Sequence, residues 1–233
     1  MDQLHSAGFG HTPAVAGAQL RNRTLRNTYA LLALSLLPTI AGAMIGVSTG
    51  FSLFAGSSPL FGLFAFIAVS MAFFFAIERL KNSAAGVFVL LGFTFFMGLM
   101  LSRLLGFVLH FSNGVELIAL AFGGTAVIFA GMATIATVSK RSFSSLGNWL
   151  TVGLLLLIVA SVANIWLQLP ALMLTVSMLA VVIFSLFIVF DVQRIVNGGE
   201  TNYILATLSI YLDLYNLFSN LLALLSVFAG RRD

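Results

Sequence analysis

The chain has 233 residues, of which 60% are hydrophobic and only 8% charged, with a mean hydropathy of +1.09. A water-soluble domain carries about 25% charged residues, so this composition excludes a soluble protein and defines an integral membrane one. The net charge of +4 does not point to nucleic acid, because Lys and Arg fall in short segments between apolar runs, where cytoplasmic loops carry them.

The absence of cysteine removes disulfides, thiolate metal sites and a cysteine nucleophile from consideration. Residues 1–27 are rich in Gly, Ala and Gln, show no apolar periodicity and end in Arg21, Arg23 and Arg26. They are expected to form a mobile cytoplasmic tail ahead of a single transmembrane domain over residues 28–230. The tail lacks the ordered apolar core and small-residue cleavage site of a secretory signal, so the first apolar segment is expected to remain as a membrane helix. His5 and His11 have no third ligand nearby in the sequence and read as solvated.

The first span is expected over Tyr29 to Val47, with Pro38 inside and Gly42, Gly46 and Gly50 at four-residue spacing, a pattern that lets two helix backbones approach closely. A second runs from Leu60 to Ile77 and ends in the charged turn Glu78-Arg79-Leu80-Lys81. The third, Ala84 to Leu101, precedes a connection holding Arg103, His110 and Glu116. The fourth, Leu117 to Val138, offers Gly123, Gly124 and Gly131 as further packing positions. After Lys140 and Arg141, the fifth covers Leu146 to Leu167, where Ser161, Asn164 and Gln168 share a face and are expected to hydrogen-bond between helices. The sixth, Ala171 to Phe190, reaches Asp191, and the seventh covers Tyr203 to Phe228.

The fold class is therefore all-α: a polytopic membrane protein with a seven-transmembrane-helix bundle. With the amino terminus inside, Arg21, Arg23, Arg26, Arg79, Lys81, Lys140, Arg141 and Arg194 fall on the inner side and Arg103 on the outer, so the amino terminus is expected in the cytoplasm. Seven crossings place Arg231 and Arg232 outside, against that rule. A re-entrant last segment would restore it, but Tyr203 to Phe228 is long and apolar enough to cross.

The chemistry concentrates in that last segment. Ser209, Asp213, Asn216 and Asn220 stand at i, i+4, i+7 and i+11, a single helical stripe among Ile, Leu, Tyr and Phe. An aspartate in the bilayer core costs roughly 2.5–3.5 kcal/mol on insertion scales, so the stripe is expected to face protein or water. Of seven acidic residues only Asp191 and Asp213 lie within membrane segments. They reach comparable depth if the sixth helix continues through Val196 and turns at Asn197-Gly198-Gly199.

If the two carboxyl groups meet, they titrate as a unit holding one proton, and the contact between their helices becomes proton-sensitive. With Asn216, backbone carbonyls and water the pair supplies a weak, transient Ca²⁺ site, which suits leakage better than storage. In the alternative arrangement, Asp191 caps its helix in water and Asp213 bonds to Ser or Asn neighbours. Enzymatic readings find little support. No transmembrane histidine serves a serine nucleophile, and no His and Glu cluster has metal spacing. A membrane aspartyl protease would also use two aspartates, but its Tyr-Asp and Gly-x-Gly-Asp contexts are absent.

The segments SIYLDLYNLF (209–218) and FIVFDVQRI (187–195), with KRSFSSLGNWL after the fourth span and SVANIWL at the end of the fifth, together resemble the Bax inhibitor-1 (transmembrane Bax inhibitor motif) family. The resemblance extends from Arg21 to Arg232 and favours the bacterial inner-membrane branch, the YccA- and YbhL-like proteins. It implies a bundle whose last helix is central and wrapped by the other six. It implies that Asp191 and Asp213 form a hydrogen-bonded pair sensing pH for a cation leak, chiefly of Ca²⁺, with Arg79 as a candidate latch on the pair. It also implies a location in the bacterial inner membrane and, as a second function, restraint of a membrane-bound AAA protease. No cofactor and no enzymatic activity are expected.

Overall fold

The computed structural model describes residues 13–51, 59–139 and 141–229. Seven helices follow one another: α1 (Pro13–Thr49), α2 (Pro59–Leu80), α3 (Ala84–Val108), α4 (Gly114–Val138), α5 (Leu146–Leu167), α6 (Pro170–Val196) and α7 (Tyr203–Ala229). Each is long and apolar enough to cross a bilayer. Large apolar side chains cover much of the outer surface, among them Phe61, Phe64, Phe75, Phe88 and Val127. In water that surface would be prohibitive; in lipid it is matched. Exposed Trp149 and Trp166 stand near opposite ends of α5. Their spacing of about 25 Å along the helix suits two interfacial aromatic anchors.

The helix α1 differs from the sequence expectation. It begins at Pro13 and runs for 37 residues, about 55 Å and so far more than one bilayer core. The part of the expected tail from residue 13 onward is therefore helical. A reason is visible in its contacts: Arg21 Nη1 lies 3.5 Å from the Val196 carbonyl, and Thr24 Oγ1 donates to the Thr201 carbonyl at 3.2 Å. Docking against the end of α6 and the α6–α7 connection gives this segment a helical partner that apolar periodicity alone does not reveal. His5, His11, Lys140, Arg231 and Arg232 lie outside the described residues.

Glycine has two fates here. A Cβ on Gly98 would sit 2.1 Å from the Thr39 carbonyl oxygen, and one on Gly42 2.2 Å from that of Phe95. The backbones of α1 and α3 touch at both places, and these two helices share the most extensive contact in the bundle. Gly46 continues the seam against Ser102, whereas Gly50 leaves it and takes φ +64 in open space at the end of α1. The expectation for α4 is not met: a Cβ at Gly123 or Gly131 meets nothing within 4 Å, and Gly124 only touches Leu221. Glycines recur on both helices; only packing distinguishes the face that meets protein from the face that meets lipid.

The last helix, α7, packs against α1, α2, α3, α4 and α6, and α5 rests chiefly on α6. A buried hub ties three of these together. The Thr39 hydroxyl of α1 donates to the Ser35 carbonyl at 2.9 Å, Tyr211 Oη of α7 lies 2.8 Å from it, and the Thr94 carbonyl of α3 is within 3.2 Å of Thr39 Oγ1. Such a hub satisfies hydroxyls that lipid would leave bare. At α5 the expected interhelical bonds give way to local ones. Asn164 Oδ1 accepts from the Leu169 N–H at 3.0 Å, Gln168 adopts a left-handed cap at φ 48, and Ser161 is exposed. Near a helix end the unpaired backbone groups compete for polar side chains, and here they win.

Candidate functional site

The helix α6 does continue past Asp191, to Val196, and Gly198 closes the turn with φ +78, a left-handed conformation that glycine adopts without steric cost. This brings Asp191, five residues before the end of α6, level with Asp213, ten residues into α7. Their carboxyl groups stand within hydrogen-bonding reach of each other. Asp213 is only 5% exposed, while Asp191 is half-buried. Two carboxyl groups hydrogen-bond only when one of them carries a proton. Asp213 Oδ2 is buried with no N–H or O–H donor among the described residues, as befits an oxygen whose carboxyl neighbour is another acid.

The rest of the expected stripe behaves differently. Asn216 Nδ2 donates to the Leu212 carbonyl and Asn220 Nδ2 to that of Asn216, both at 2.8 Å and both on their own helix. With half-buried Ser209 they continue the polar face of α7, but none of the three hydrogen-bonds an aspartate. The arrangement in which Asp213 is satisfied by Ser or Asn neighbours is thus not the one adopted. Arg79 is not beside the pair either. It is exposed at the end of α2, and the charged groups acting on Asp191 are Arg194 and Glu200. Arg194 stands one helical turn beyond Asp191 on α6 itself.

Two residues that sequence reasoning passed over frame the site. Gln193, 4% exposed, accepts from the Phe143 N–H at 2.6 Å and donates to the Arg141 carbonyl at 2.7 Å. Its amide imitates a strand partner and fastens the α4–α5 connection to the last turn of α6. Asn202 accepts from the N–H groups of Ile204 and Leu205 at the start of α7 and donates to the Lys81 carbonyl and Asn82 Oδ1. The start of α1, the α2–α3 turn, the α4–α5 connection and the α6–α7 turn therefore gather at one end of the bundle. An amide inside the apolar run FIVFDVQRI was the available signal for Gln193; nothing local identified its partner fifty residues earlier.

The geometry defines a class first: a multi-pass membrane protein of seven helices with a carboxyl pair between its last two. The family described as Inhibitor of apoptosis-promoting Bax1 matches residues 21–232, and the chain belongs to this Bax inhibitor-1 family. It is 36% identical over 231 residues to the modulator of FtsH protease YccA of Escherichia coli K12, covering 99% of this chain and all of that one. An uncharacterized protein of Neisseria meningitidis serogroup A is 38% identical over 209 residues, 88% of this chain and 91% of its own. An uncharacterized membrane protein of Vibrio cholerae is 36% identical over 224 residues, 96% and 98% of the two chains.

Proposed function

We propose that the protein is a pH-sensitive cation leak pathway, with Ca²⁺ among the ions passed, gated by the contact between Asp191 and Asp213. The observation that carries this reading is the apposition of two carboxyl groups on adjacent helices, one of them 5% exposed, which at low dielectric favours one shared proton. Loss of that proton leaves two negative charges facing each other at low dielectric, so the helices separate or a cation takes the proton's place. Among the described residues no three His, Cys, Asp or Glu side chains gather as a metal cluster. Two carboxylates fall short of the six to eight oxygens Ca²⁺ prefers, which supports passage rather than storage, with the cation as cargo and no resident cofactor. We read the chain as a conduit, not an enzyme.

Arg21, Arg23, Arg26, Arg79, Lys81, Arg141 and Arg194 belong to the end where the four connections gather, and Arg103 to the other. By the positive-inside rule that end, with the amino terminus, faces the cytoplasm. The name of a relative, inner membrane protein YccA, supports an inner-membrane location. The test is Ca²⁺ entry into liposomes of purified protein across a pH series. The reading expects flux above empty liposomes that varies with pH, and loss of that variation in Asp213→Asn, which keeps shape but removes the shared acidic hydrogen. Flux equal to empty liposomes at every pH would overturn it.

A second reading is favoured by the name of the E. coli relative, modulator of FtsH protease: the chain binds and restrains a membrane-bound AAA protease. It expects co-purification with that protease, and loss of co-purification on deletion of residues 1–12, which leaves α1 whole. A protein that never co-purifies with the protease under mild detergent would count against it.

A further inference from the structure

At the inner end of the bundle a polar recess of about 550 Å³ opens between the α2–α3 turn and the α6–α7 connection, its wall including Glu78, Lys81, Arg194, Glu200, Asn202 and Leu205. Its charges are paired but unequally held. The Lys81 ammonium contacts the Glu78 carboxylate directly. Arg194 Nη2 stands 3.5 Å from Glu200 Oε2, long for a charge-assisted bond, and the Arg194 side chain is 47% exposed against 16% for Glu200. Glu200 is anchored from its other oxygen, which accepts from the Asn202 N–H at 2.9 Å. The acid is thus part of the wall and the guanidinium is the movable member.

Arg194 lies at i+3 from Asp191 on the same helix, so its charge serves two carboxylates: Glu200 in the wall and Asp191 at the inner edge of the pair. We propose that this recess is the inner mouth of the cation pathway and that Arg194, drawn aside by Glu200, is the residue that sets how readily a cation passes from the mouth to Asp191. The proposal rests on the leak reading above. A fixed positive charge opposes an approaching cation in proportion to the cation's own charge. Removing it therefore favours a divalent ion by the square of the factor by which it favours a monovalent one. At a separation of about 8 Å across a water-filled mouth, with an effective dielectric constant of about 65, that factor is about threefold for K⁺ and about tenfold for Ca²⁺. Removing Glu200 does the reverse, because Arg194 is then free to settle on Asp191.

The experiment compares K⁺ and Ca²⁺ flux in liposomes of the wild-type chain, Arg194→Gln, Glu200→Gln and, as a control for charge at the same end, Arg23→Gln. Arg194→Gln is expected to raise K⁺ flux about threefold and Ca²⁺ flux about tenfold, Glu200→Gln to lower both with Ca²⁺ falling further, and Arg23→Gln to change neither. A conducting wild type whose K⁺ to Ca²⁺ ratio is the same in Arg194→Gln would overturn the assignment of Arg194. A second arm reads the recess without flux. Because the chain has no cysteine, Leu205→Cys reports the recess alone in nanodiscs, and the ratio of its reaction rates with a cationic and a neutral thiol reagent should rise about threefold when Arg194→Gln is added. A silent wild type would sink the leak reading, and an unchanged reagent ratio would sink the charge control by Arg194.

Discussion

Replacing Gln193 by leucine isolates how the site is fastened to the rest of the bundle. The amide is 4% exposed, and its two bonds, 2.6 Å from the Phe143 N–H and 2.7 Å to the Arg141 carbonyl, are the side-chain bonds that hold the α4–α5 connection on α6. Gln193→Leu preserves volume and removes both partners, leaving one donor and one acceptor facing an apolar group. Each such loss costs about 1–3 kcal/mol when the group stays buried. Ser142 and Ser144 are exposed, so the connection can lift toward water and recover part of that loss, and the net destabilisation is expected at about 2–3 kcal/mol. Two measurements check it: unfolding of purified protein in micelles by denaturant, and hydrogen exchange at the Phe143 amide, whose protection should fall about a hundredfold while α3 amides stay protected. Gln193→Glu separates the two bonds, since a carboxylate still accepts from the Phe143 N–H but cannot donate to the Arg141 carbonyl. It should retain part of the protection at Phe143, while desolvation of the buried carboxylate and its repulsion from the Arg141 carbonyl oxygen make its loss of stability at least as large as that of Gln193→Leu. Full protection at Phe143 in Gln193→Leu would refute the clamp.

Four further substitutions test the packing that positions the aspartates. Gly98→Ala places a methyl 2.1 Å from the Thr39 carbonyl, so α1 and α3 must part, at about 1–3 kcal/mol in micelle unfolding, whereas Gly123→Ala on α4, with open space around it, should be neutral within about 0.5 kcal/mol. Asn202→Ala removes the cap of α7 and the ties to Lys81 and Asn82; a loss of about 1–2 kcal/mol, with faster exchange at the Ile204 and Leu205 amides, is the expected reading. Tyr211→Phe takes one hydroxyl from the hub while Thr39 keeps its bond to Ser35. The cost should stay near 1 kcal/mol, and a loss above about 3 kcal/mol would show that the hub depends on Tyr211 more than its geometry indicates.

Much of this architecture follows from the chain read alone. Seven apolar runs dictate seven membrane helices, because backbone groups in lipid have no partners outside their own helix. Two carboxyl-bearing positions in those runs, Asp191 and Asp213, stand out because burying an acid is costly enough that few sites tolerate it. The stop at Asn197-Gly198-Gly199 sets their depth for a local reason, the left-handed turn that Gly198 supplies.

What the tertiary structure alone decided is which neighbours these groups meet. Composition makes the glycines of α1 and α4 look alike, and only the approach of α3 turns Gly42 into a contact while Gly123 faces open space. Charge divides differently: Arg194 neighbours Asp191 by i, i+3 spacing within α6 itself, whereas the position of Arg79, at the end of α2, relative to the pair depends on how the helices pack. Gln193 depends on a loop fifty residues away, and the helical start of α1 on the α6–α7 turn. Periodicity reports the face a residue occupies, because one helix determines that by itself. Partners across helices depend on how independent rods are arranged, and no single segment carries that information.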